Sequence, residues 1–120
     1  MRVVLVEPNK SARVEDIDDS YESLSDIVGG YIEAIYPFDE NVALVCNEEG
    51  KLMGLPFNRA LKNTKGKVVD LLMGTFFIAG IGEDDFENIP EELEQKFVDM
   101  FAEPENFAIA YLGLMGYDIP

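Results

Sequence analysis

The chain has 120 residues, 48% apolar and 28% charged, which describes a single globular domain over residues 1–120 that buries about two-thirds of its unfolded surface. Its 24 acids against 9 bases give a net charge of -15, a field that repels DNA, RNA and anionic lipid and draws cationic partners. Histidine is absent and cysteine occurs once, which excludes Ser-His-Asp and Cys-His nucleophile systems, imidazole zinc sites and Cys-rich metal sites, so neither a metal nor a cofactor is expected.

In chain order, Arg2 to Glu7 is a β-branched run closed by Pro8 and Asn9, the pattern of a strand buried on both faces. Its apolar stretch is far too short for a signal segment or a membrane span, which points to the cytoplasm. Residues 10–19 are polar. They lead into a helix capped by Asp19 or Ser20, with Tyr21, Leu24, Ile27 and Val28 on its buried face and Gly29 as its stop. The acids from Glu15 to Asp26 fail as a calcium loop: counted from Asp16, the glycine and bidentate-glutamate places hold Tyr21 and Ile27. They read as a solvated acidic face.

Tyr31 to Tyr36 and Val42 to Cys46 are predicted strands joined by a loop over Pro37 to Asn41. Cys46 falls in the apolar run, where it reads as a small core residue in a reducing compartment. The segment Asn47-Glu48-Glu49-Gly50 is a tight reversal, with Asn47 bonding the turn backbone and Gly50 supplying a permissive conformation. Its functional alternative is a pair of carboxylates, Glu48 and Glu49, presented to a partner.

Lys51 to Lys67 holds five bases and no acid; it carries +5, so the remainder carries -20 against -15 for the whole chain. Such a segment either lies against the protein's own acidic surface or forms an anion site. In the second case a short helix from Pro56 to Leu61 and the fork of Arg59 would receive a phosphate or carboxylate, with Lys51 and Asn58 beside it. Asn63 to Gly66 is a turn. Val68 to Ile81 supplies one or two strands bent near Gly74, and TFFIAGIG has the content of a central strand. Its Gly80-Ile81-Gly82 lacks the third glycine of a dinucleotide loop and runs into acids, so it reads as a strand exit.

Two helices close the chain. The first follows Pro90 with Leu93, Phe97, Met100 and Phe101 on one face, and the second starts at Pro104 with Phe107, Tyr111, Leu114 and Met115 on its stripe and Gly116 as terminator. They carry much apolar surface for so small a chain, which makes a homodimer interface or a partner groove an expectation. Together the elements describe an α+β fold: a mainly antiparallel sheet of four or five strands with helices packed on one face.

The run GGYIE from Gly29, followed after a hairpin by NEEGKLMGLPFNRAL and later by GTFFIAGIG, resembles the domain-of-unknown-function family numbered 3846. That resemblance implies a small cytosolic accessory protein of a phage or mobile element of Gram-positive bacteria, acting by binding rather than by catalysis. With the charge of -15, binding to a host or defence protein is the first expectation, as an inhibitor or a nucleic-acid mimic. The alternatives are a small anionic-ligand or nucleotide binder using the 51–67 loop, and a carboxylate-dependent hydrolase. The candidate site residues are Asn47, Glu48, Glu49, Lys51, Asn58 and Arg59.

Overall fold

The computed structural model describes residues 1–117, three short of the span expected for the domain. Three strands with continuous apolar runs organise it: β1 (Arg2–Val6), β4 (Val42–Asn47) and β7 (Phe76–Ile81). They lie in one antiparallel sheet of order β2-β1-β7-β4-β3, with β2 (Arg13–Asp16) and β3 (Ile32–Ile35) at its edges and β8 (Phe86–Glu87) paired to β7 beyond the end of β1. As TFFIAGIG predicts, β7 is central. Gly80 is where β8 comes closest: a Cβ there would lie 2.3 Å from the Asn88 carbonyl oxygen, so the glycine of the GIG run serves strand pairing.

Alternation along the three central strands puts apolar side chains on both sides of this sheet. Val3, Leu5, Ala43, Val45, Phe77 and Ala79 face α1 (Tyr21–Val28), which buries Leu24 and Val28 against them. Val4, Val6, Val42, Leu44, Phe76 and Ile78 face Phe97 of α2 (Glu91–Met100) and Phe101 at its end. The α+β class and the antiparallel sheet are as expected, but the helices are divided between the two faces instead of sharing one. The reason is in the runs themselves: strands apolar on both sides need cover on both sides.

The start and stop of α1 follow the sequence. The Ser20 hydroxyl accepts from the Ser23 N–H (3.2 Å) and Gly29 closes the helix with its N–H on the Ser25 carbonyl (2.8 Å).

A second, two-stranded sheet pairs β5 (Phe57–Lys62) with β6 (Val68–Met73), and its Leu61 and Leu72 join the core on the α2 side. This is the largest departure from the sequence reading: the stretch predicted as a short helix from Pro56 to Leu61 is a strand. Asn58, Arg59, Ala60 and Leu61 are all buried there, more than one face of a surface helix could hide. The turn at Asn63 is as predicted, its side-chain oxygen accepting from the Lys65 and Lys67 N–H groups (2.9 and 3.0 Å). The last helix, α3 (Phe107–Leu114), starts later than Pro104. Its N-cap is Asn106, which accepts from the Ile109 N–H (3.1 Å).

Candidate interaction sites

The reversal after β4 is held from below by Asn47. Its side-chain amide donates to the Val28 carbonyl at the end of α1 (3.1 Å), while its oxygen accepts the Glu49 N–H (2.7 Å). The Glu48 N–H donates to the Tyr31 carbonyl (2.9 Å), and the Met53 N–H to that of Glu49 (2.9 Å). Gly50 is pressed onto β6: a Cβ there would meet the Met73 carbonyl oxygen at 2.8 Å. These bonds leave Glu48, Glu49 and Lys51 at the surface and lift Leu52 to 88% exposure and Met53 to 51%.

Beside the turn lies a groove of about 370 Å³ whose walls include Glu33, Cys46, Glu48, Glu49, Lys51 and Asp70. The Lys51 ammonium is paired with the Asp70 carboxylate there. Burial pushes the Cys46 thiol up to about 11, with the Glu33 and Asp70 carboxylates adding to the shift and Lys51 opposing it. The thiol therefore stays protonated at neutral pH and is a poor nucleophile. Four of the six predicted site residues, Asn47, Glu48, Glu49 and Lys51, meet at this groove.

The other two do not. Asn58 is the extra residue of a β-bulge, since Phe57 pairs with Met73 and Arg59 with Leu72. Its side-chain amide donates to the carbonyls of Val6 and Gly74 (2.9 Å each), tying the small sheet to the large one. Arg59 is wholly buried. Its Nε and Nη2 donate to the Phe101 carbonyl (3.2 and 3.0 Å), its Nη1 to the Asn58 carbonyl (3.2 Å) and side-chain oxygen (2.9 Å), and its Nη2 also to the Lys10 carbonyl (2.6 Å).

The fork proposed for an external anion is thus spent on the protein's own backbone. Part of its compensation is the carbonyl-rich end of α2, where a cation is favoured. Burial lowers the Arg59 pKa, and the carboxylates of Glu105 and Glu103 work in the opposite sense without forming an ion pair with it.

A larger hollow, about 690 Å³, opens between the β5–β6 hairpin and the C-terminal segment. Lys62, Lys65 and Lys67 line its hairpin side; Asp99, Glu103 and Glu105 line the other, with Ile109, Ala110 and Tyr117 between. Arg2, Lys10, Arg13, Lys51 and Lys96 are all in ion pairs, so among the described residues the three hairpin lysines are the exposed bases without one.

Among the described residues no group of three or more Cys, Asp or Glu side chains is placed to hold a metal, and no helix is long and apolar enough to cross a membrane. A family model described as a domain of unknown function, DUF3846, matches residues 1–102. The chain belongs to this family. No curated protein and no solved structure matches it.

The DUF3846 match ends one residue past Phe101, the carbonyl that Arg59 holds, so α3 stands outside the matched region. Sequence reasoning missed Leu52, Met53 and Asp70 as parts of the groove and turn. The exposed pair has a local signal, two large apolar residues between glycines in a turn. Asp70 has none, because it reaches Lys51 only through the pairing of β6.

Proposed function

We propose that the chain is a non-enzymatic accessory protein of a phage or mobile element that works in the cytoplasm by binding a host or defence protein through the turn from Glu48 to Gly54. The observation that carries this reading is the turn's construction. Leu52, the most exposed of the large apolar side chains among the described residues, stands beside Met53, three residues beyond Glu49 of the Glu48–Glu49 pair, on a backbone pinned by buried Asn47. An apolar anchor beside fixed charges on a rigid turn suits a partner cleft that is apolar at its centre and basic at its rim, because little ordering entropy is lost on binding. The net charge of -15 steers such a partner and opposes nucleic acid as a direct ligand.

The test compares the full chain with the double variant Leu52→Asp/Met53→Asp as bait in lysate of a Gram-positive host. Capture of a protein by the first and not by the second supports the reading. Recovery of the same proteins by both baits, or of none, overturns it.

A second reading, the carboxylate-dependent hydrolase, is favoured by Glu33, Glu48, Glu49 and Asp70 sharing one groove. Turnover of generic ester or phosphoester substrates that is abolished by Glu49→Gln would replace binding with catalysis. For the anionic-ligand reading Arg59 is unavailable, and the three hairpin lysines face acids across their hollow.

A further inference from the structure

The two edges of the large sheet are finished differently. At β2 the Arg13 guanidinium is paired with both Glu7 and Glu15, so its charges are spent on the chain itself. β3 has no base and its Glu33 is in no ion pair, and among the described residues no strand lies beyond it. The direction of its backbone groups follows from the register. The Glu48 N–H donates to the Tyr31 carbonyl, while Glu33 lies opposite Cys46 and Ile35 opposite Leu44. Bonding alternates along an antiparallel pair, so Tyr31, Glu33 and Ile35 turn their N–H and C=O groups to β4, whereas Ile32 and Ala34 turn theirs to the free edge. Such a row is a template for another strand. Tyr31 and Tyr36, 68% and 63% exposed, stand at its two ends, and tyrosine is a favoured interface anchor. Glu33 also shares the 370 Å³ groove with Glu48, Glu49 and Asp70, and the one base lining that groove, Lys51, is already paired with Asp70.

We infer that the free edge of β3 takes up an extended, basic segment of a partner protein as an added strand, its backbone bonded to Ile32 and Ala34 and every second side chain, lysine or arginine, set over the groove against Glu33. The inference rests on the reading that the neighbouring turn binds a protein, and it adds the conformation and charge of the segment bound beside that turn. Main-chain bonds to the edge supply affinity, and the alternate side chains supply selectivity. The groove decides the sign of the charge: its unpaired carboxylates attract a cationic segment and repel an acidic one or a nucleic acid. A second copy is disfavoured on the same ground, since joining two β3 edges would set the acids of one groove against those of the other in a chain of net charge -15.

The experiment titrates the full chain with a capped heptapeptide of alternating lysine and valine, and with its glutamate and valine counterpart, read by amide chemical shifts and hydrogen exchange on the wild type, Glu33→Lys and Ala34→Pro. The basic peptide is expected to bind and to slow exchange at Ile32 and Ala34, and the acidic one to do neither. Ala34→Pro deletes an outward N–H without removing a bond to β4, a position where edge strands accept proline, and should weaken binding about tenfold. Glu33→Lys should weaken it about two- to tenfold in low salt. Circular dichroism and thermal unfolding verify the fold of each variant, and exchange at Ile32 and Ala34 in the wild type decides the question if Ala34→Pro does not fold. Absence of binding overturns the inference, as does binding that leaves exchange at those two amides unchanged or that a folded Ala34→Pro keeps at full strength. Lysate capture through Leu52 and Met53 uses no peptide, so capture that persists while the peptide fails removes the added strand alone, and peptide binding without capture removes the turn reading alone.

Discussion

The turn from Glu48 to Gly54 and the pair Asn58–Arg59 lie close together in the chain, and both are polar. They use their polar groups in opposite directions. Asn47 spends its side chain holding the backbone of the turn, which leaves carboxylates, Leu52 and Met53 free to face outward. Asn58 and Arg59 spend theirs on the carbonyls of Val6, Gly74, Lys10 and Phe101, leaving nothing for a ligand. A polar residue in a strongly acidic protein is therefore a poor guide to a site until its donors are counted. Arg59 is the instructive case, because an arginine in a basic segment has the look of an anion receptor, yet it joins three separate segments of one core.

The strongest way to break this comparison is at Arg59. Arg59→Met should destabilise the fold by about 3–5 kcal/mol in urea unfolding, because it orphans the buried carbonyls of Asn58 and Phe101 and the part-buried one of Lys10. Arg59→Lys should recover only a minor part, since three donors on one nitrogen cannot replace a planar fork. If instead Arg59→Met unfolds like the wild type, the core role assigned here is wrong.

Asn47→Ala is expected to cost less, about 1–2 kcal/mol, because it orphans one buried carbonyl, that of Val28, and one part-buried N–H, that of Glu49. It should also loosen the turn, read as faster hydrogen exchange at Glu49 and Met53 than anywhere in β1 or β7. Leu52→Asp should change unfolding free energy by less than about 0.5 kcal/mol while removing partner capture, the signature of a residue that serves only binding.

The smallest effect belongs to the surface ion pairs. The Arg2 guanidinium, hydrogen-bonded to Glu94, holds that carboxyl below its ordinary value. Because the folded pKa is depressed, the contribution is present above the ordinary glutamate range and is lost as pH falls through the lower folded value. Thermal unfolding of the wild type and Glu94→Gln should therefore converge as the solution is acidified below that range. A difference that widened on acidification would contradict the assignment.

Much of the fold was legible because its signals are local. The apolar runs of β1, β4 and β7 announce strands, the first buried on both faces and the last central, Ser20 and Gly29 bracket α1, and Asn63 with Gly66 marks a turn. The turn at Asn47 was legible for the same reason. The helix predicted over Pro56 to Leu61 failed because Arg, Ala, Leu and Lys are good helix formers, and only β6 supplies the backbone partners that make the segment a strand. β2 was missed because a short polar edge strand has no apolar alternation and exists by pairing with β1.

The sequence by itself determined the class of fold, its central strands, the acidic field and the absence of histidine chemistry, all properties of composition or of neighbours along the chain. Only the tertiary structure decided that Arg59 is interior while Leu52 is exposed, and that three lysines share a hollow with three acids. Those outcomes depend on which distant segments meet. Burial and hydrogen-bond satisfaction belong to the packed chain as a whole, so no local pattern encodes them.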